Sequence, residues 1–216
     1  MIEIWEAAPD RKYPSLYLDH RSGNETDIGR LNERLRATEP LANDWEPLGV
    51  YISDVALPRP DIFEGIGPGF TPAMTTAVRE AMESECHPFG WLEFLPLVDA
   101  DTGETYWMTH FLAWPNVVDD TASTYVTRAG GHLETLAIAE FHSERVAHQT
   151  LFPIAQGRDA KTYRTCAATD SADPDTDSFV KPMLEARGFT GIEWRRIWDD
   201  TNGGVLLDER YRRHLP

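Results

Sequence analysis

Lysine is nearly missing from this chain. Three Lys and 17 Arg stand against 36 Asp and Glu, a formal net charge of −16 over 216 residues. A surface of that sign repels nucleic acid and anionic membrane and attracts basic proteins. Cysteine is scarce as well: Cys86 and Cys166, 80 positions apart, are the only two. They form neither a metal-ligand pattern nor a disulfide framework, so two reduced thiols are expected, at least one of them packed as a small hydrophobe. Long apolar runs are absent too, and none approaches the ~20 residues that span a bilayer. The opening Met1-Ile2-Glu3-Ile4-Trp5-Glu6 lacks a basic stretch followed by an apolar core, so a cytoplasmic protein is expected.

Catalytic signatures are also wanting. No Gly-x-Ser-x-Gly elbow occurs. The spacing Gly65-x-Gly67-x-Gly69 departs from both nucleotide-binding fingerprints, no Lys-Ser/Thr pair follows, and Pro68 removes an N–H that a phosphate cradle would use. Cys86 and His87 are neighbours in sequence, whereas a nucleophile and its base normally converge from distant positions. No cofactor and no resident metal are expected.

What the chain does hold is bulky apolar material: seven Trp, seven Tyr and nine Phe. Ile2, Ile4, Leu16 and Leu18 alternate with polar neighbours, the period of one or two edge strands. Ile28, Leu31 and Leu35 have helical spacing, with Asp27 as N-cap and Pro40 as terminator. Leu48–Ile52 reads as a buried strand. Residues 58–72, with four prolines and three glycines, read as one long loop. Thr71 and Pro72 are expected to start a helix that runs to residue 85 with Met74, Val78 and Met82 on one face. Residues 91–98 and 106–114 read as the arms of a β-hairpin joined by Asp99–Glu104. Two further strands are expected within 133–142 and 148–155, although a helix also fits the first. An acidic loop follows at 170–177. Ser178 is placed at the start of a short helix that ends at Gly188, with a closing strand over 191–198. Strands and helices mix without βαβ alternation. The expectation is therefore an α+β fold: one domain over 1–216 with a mostly antiparallel sheet and a few packed helices.

Three groups could carry chemistry. Asp99, Asp101 and Glu104 resemble the opening of a Ca²⁺ loop, but the twelfth position, where a bidentate Glu belongs, is His110; an Asp-rich hairpin turn is the plainer reading. His132, His142 and His148 lie ten and six residues apart and match no common zinc spacing. With Glu140 or Glu144 they define an alternative reading as a small metal-dependent hydrolase. Glu93 with Glu104, or Asp119 with Asp120, could be set as a glycosidase carboxylate pair, which needs a measured separation in a cleft. A third class, a scaffold subunit, calls for one large exposed apolar patch.

Three segments point further. They are Gly90–Leu97 with Thr105-Tyr106-Trp107 and Asp119-Asp120, then Leu151-Phe152-Pro153-Ile154, then Ser178–Trp194. In this order they resemble a family of bacterial polymorphic-toxin immunity proteins, over roughly residues 48–198. The resemblance implies a cytoplasmic protein that neutralises a cognate toxin delivered between bacteria, and it brings no catalytic residues. Opposite charge speeds the encounter with a basic toxin. The acidic stretches are the expected contact surface: Asp99, Asp101 and Glu104; Asp119 and Asp120; Asp170, Asp173, Asp175 and Asp177.

Overall fold

The first strand of the chain finds its partners near the last. β1 (Ile2–Pro9) lies between β11 (Tyr163–Asp170) and β12 (Ile192–Asp199) and is antiparallel to both. It is an interior strand, where the sequence pointed to an edge. β10 (Phe152–Ala155) and the two-residue β13 (Gly203–Gly204) complete this five-stranded sheet in the order β10-β11-β1-β12-β13. The computed structural model describes residues 1–19, 28–66, 71–86, 91–127, 134–147, 149–158, 163–171 and 179–215.

A second, six-stranded sheet uses the intervening chain. Its order is β2 (Leu16–Leu18), β3 (Leu48–Ile52), β6 (Leu92–Asp99), β7 (Thr105–Phe111), β5 (Pro72–Thr75), β4 (Ile62–Glu64). Every neighbouring pair is antiparallel except β3 with β6. The third sheet is the hairpin β8 (Thr124–Thr127) with β9 (Glu134–Ile138). The architecture is thus dominated by mostly antiparallel sheet.

The six-stranded sheet curls. All six strands send side chains into one apolar cluster: Leu16 and Leu18, Val50 and Ile52, Leu95 and Leu97, Tyr106 and Met108, Ala73, and Phe63. A flat sheet cannot gather its two edge strands and its centre around one core, so the sheet wraps into an open barrel. Phe63 from one edge meets Tyr106 edge-on at 5.0 Å. Leu31 and Leu35 of α1 (Ile28–Arg36) and Trp45 pack onto the same cluster. The helical spacing read from the sequence fits this buried stripe.

The outer wall of the barrel meets the five-stranded sheet. Ile62, Met74 and Phe111 share a cluster with Tyr163 and Ala167 of β11, Val78 and Met82 of α2 (Thr76–Glu85), and Val180, Met183 and Leu184 of α4 (Val180–Arg187). The opposite face of the five-stranded sheet is covered by Leu136 and Ala139, Phe141, Val146 of α3 (Ser143–Val146) and Leu207. A 3-10 helix, Glu209–His214, follows this last contact and meets β8.

Several expectations change here. Residues 72–75 are strand, and α2 starts at Thr76 with Thr75 as N-cap. Pro72 suits a first helical position equally well; pairing of Ala73 and Met74 with β7 decides the matter. The stretch 58–72 contains β4 and part of β5 rather than one loop. Pro96 sits inside β6, just before its pairing with β3 begins at Leu97. Its missing N–H faces the side with no partner, and its carbonyl accepts from Trp45 Nε1 at 2.9 Å. Gly188 ends α4 in the left-handed region at φ 70°, as its place after the helix predicts.

Candidate functional site

The described acidic residues of the expected contact surface fall on separate elements. Asp99 is 2% exposed, and its Oδ1 accepts from the Asp101 and Thr102 N–H groups at 2.9 and 3.3 Å. It is the internal brace of the hairpin turn rather than contact surface. Asp101 and Glu104 stay exposed or half-exposed at the tip, and Glu104 accepts from Arg59 at 2.8 Å and from Tyr106 Oη at 2.9 Å. Burial and then the Glu104 carboxylate push the Tyr106 phenol up.

Asp119 and Asp120 lie in the turn before β8. Asp119 Oδ1 takes the Ala122 and Thr121 N–H groups, which hold its carboxyl below the ordinary range. Asp120 accepts from Tyr125 Oη. Asp170 ends β11 opposite Ile2. Asp173, Asp175 and Asp177 lie outside the described residues. Each described stretch therefore sits on its own element, and several of its oxygens are committed to the fold.

Of the histidine group, His142 lies among the described residues. His142 Nδ1 is 3.9 Å from Asp119 Oδ2 and 4.0 Å from Glu144 Oε1. His132 and His148 lie outside the described residues. Glu140 accepts from Trp198 Nε1 and the Gly204 N–H, both at 2.9 Å, and so pins β12 and β13 to the end of β9. Among the described residues no group of three His, Cys, Asp or Glu is placed to hold a metal ion. Glu93 does not face Glu104: it is paired across β6 and β7 with His110, at the other end of the barrel.

The arginines are largely held by the chain's own carboxylates. Arg79 pairs with Glu83, Arg158 with Glu134 and Arg187 with Glu85, while Arg164 and Arg195 share Glu6. Glu6 is 8% exposed and Arg164 is largely enclosed with it, while Arg195 reaches Glu6 from the solvent side of the five-stranded sheet.

The barrel carries a seam that local sequence pattern does not reveal. Among the described residues, the edge strands β2 and β4 face each other without backbone pairing. Ser15, just before β2, reaches across: its Oγ donates to Glu64 Oε2 at 3.2 Å. Beyond it lies a hollow of about 280 Å³, lined by Ser15–Leu18, Tyr51 and Glu64–Ile66. A second hollow of about 300 Å³, with Asp10, Arg11 and Tyr13, shares Ser15 and Glu64 with it.

Register shows what the seam offers. The Ser53 N–H donates to Ser15 O, and the Asp19 N–H to Gly49 O. Hydrogen-bonded pairs alternate along an antiparallel ladder, so Tyr17 bonds with Tyr51 and the main-chain groups of Leu16 and Leu18 point into the seam. On the opposite rim, the Thr75 N–H donates to Asp61 O and the Gly65 N–H to Thr71 O. The groups of Ile62 and Glu64 therefore face outward. The Ile62 N–H is taken by Thr190 O; Glu64 borders the hollow.

Side chains complete the seam. Tyr17 is 50% exposed and stacks on Tyr51 with ring centres 5.7 Å apart and planes at 23°. The Glu64 carboxylate is exposed, with Ser15 as its partner and no cation within ion-pair distance among the described residues. The period-2 pattern identifies Tyr17 as outward-facing. Nothing local reveals that the other rim is Glu64, 47 positions away. The chain matches no known protein family, and no characterised protein is similar to it in sequence.

Proposed function

We propose that this protein is an immunity-type inhibitor of α+β fold that binds and neutralises a cognate basic toxin in the bacterial cytoplasm. The resemblance of residues 48–198 to such proteins supports the reading. So does the net charge of −16, which favours a cationic partner and disfavours nucleic acid. The single observation that carries it is the seam, where a strand edge unpaired among the described residues, a stacked tyrosine pair and a carboxylate with no cation partner among those residues meet. Strand edges, aromatic anchors and charge of one sign are the features by which proteins capture other proteins.

Co-expression with any basic toxin encoded beside this gene tests the reading. The expected result is restored growth, with the two proteins eluting together in size-exclusion chromatography. Continued killing, with both proteins soluble and present, overturns it.

A further inference from the structure

We infer that the seam takes up one extended segment of the cationic partner as a seventh strand between β2 and β4, and that this segment alternates basic and apolar residues. The inference rests on the inhibitor reading above and specifies how the partner is held.

The main chain sets the mode. Leu16 and Leu18 on one rim and Glu64 on the other present N–H and C=O groups toward the same hollow. Such a row recruits another extended backbone. Following the ladder from β2 through β3, β6, β7 and β5 to β4, one parallel and four antiparallel pairings leave β2 and β4 pointing the same way. An incoming strand can therefore be antiparallel to both, the more stable arrangement. The hollow of about 280 Å³ and the three-residue β2 limit the docked portion to a few residues.

The two faces of the seam set the side-chain chemistry. Inward, Leu16, Leu18 and Phe63 belong to the barrel core, so an inward residue of the guest must be apolar. Outward, the exposed Tyr17 ring borders the same hollow as the Glu64 carboxylate. A Lys or Arg there gains both the Tyr17 face and an ion pair. A second copy of this chain is a poor guest, because two molecules of charge −16 repel each other.

The test uses ¹⁵N-labelled full-length protein and the blocked peptide acetyl-Lys-Val-Lys-Val-Lys-Val-amide. Saturable shifts are expected at the Leu16, Leu18 and Glu64 amides. They should vanish for the Glu-Val analogue and for a peptide with Pro at its centre, and Glu64→Gln should weaken binding about tenfold. Shifts scattered over carboxylate-adjacent amides, binding that survives the Pro interruption, absence of binding, or concentration-dependent self-pairing through the seam would each overturn strand capture. The double variant Tyr17→Ala/Glu64→Gln separates the two readings in the growth assay. Undiminished neutralisation by that variant removes strand capture and leaves the inhibitor standing. Failure of the unaltered protein removes the inhibitor itself.

Discussion

His110 and Glu93 face each other inside one end of the barrel, with His110 Nδ1 2.7 Å from Glu93 Oε1. The other ring nitrogen, Nε2, lies 2.9 Å from Ala37 O, and a carbonyl can only accept. Glu93 also takes the Leu41 N–H at 2.6 Å and the Ala42 N–H at 3.2 Å. One buried pair thus fastens the chain that follows α1 to the barrel.

His110→Phe leaves the Glu93 carboxylate and the Ala37 carbonyl without a ring partner. His110 is 1% exposed, so water cannot take its place without rearrangement. The expected loss is about 3 kcal/mol. A lower urea midpoint at unchanged slope, with faster exchange of the Leu41 and Ala42 amides, is the signature. A midpoint at the level of the parent protein would show that the pair does not fasten this segment.

Gly191 is the second weak point. Its φ is +107°, and an added Cβ would lie 1.8 Å from Ile62 O. The backbone there also seals one end of β4, since Thr190 O takes the Ile62 N–H and Gly191 O the Asp10 N–H. Gly191→Ala should cost about 3 kcal/mol or more, because both the dihedral and the close approach reject a side chain. Urea denaturation measures it, and a change within about 0.5 kcal/mol would contradict the geometry.

Neither thiol should label readily. Burial and then the Glu85 carboxylate push the Cys86 thiol up to about 12, and burial raises the fully enclosed Cys166 as well. From an ordinary 9.0, such a rise lowers the Cys86 thiolate fraction at pH 8 by roughly 1,000-fold. A disulfide-exchange reagent should find almost no thiol in the native protein and both after unfolding. Rapid native labelling of either cysteine would be the contrary result.

Asp208 governs the acid limit of the C-terminal 3-10 helix. Its side chain accepts from Arg210 Nε and from the Arg210 N–H. The Arg210 side chain, more than any other cause, lowers it to about 2 from 3.8. A depressed folded-state value means the cap is in force above the unfolded value and is lost as pH falls through the folded one. The Arg210 amide should stay protected at pH 5 and lose protection between pH 4 and 2. Asp208→Asn should flatten that dependence in amide exchange followed by NMR.

Local pattern made parts of this molecule legible. The β6–β7 hairpin, α1, β3 and the Gly188 stop follow from period, turn chemistry and capping, which act over a few residues. Pro72 fits either element because a first helical turn and the first position of a strand accept proline alike, and only the β7 pairing chooses. β11 went unread between two stretches of weak period, although it holds β1 and β10 together. Asp99 looked like surface because Asp in a turn usually is; here its carboxylate closes the turn from inside. The seam was out of reach, because Leu16–Leu18 and Glu64 meet only when the sheet wraps.

The placement of β1 also governs the timing of biogenesis. Strands β2 to β7 complete their ladder by residue 111, whereas β1 waits for residues 163–199 to leave the ribosome. At about 5–20 residues per second that wait lasts roughly 10–30 s, during which Ile2–Pro9 has no partner strand. A nascent chain that ends before residue 163 therefore carries Ile2–Pro9 as an orphan strand, exposed to aggregation until β11 emerges.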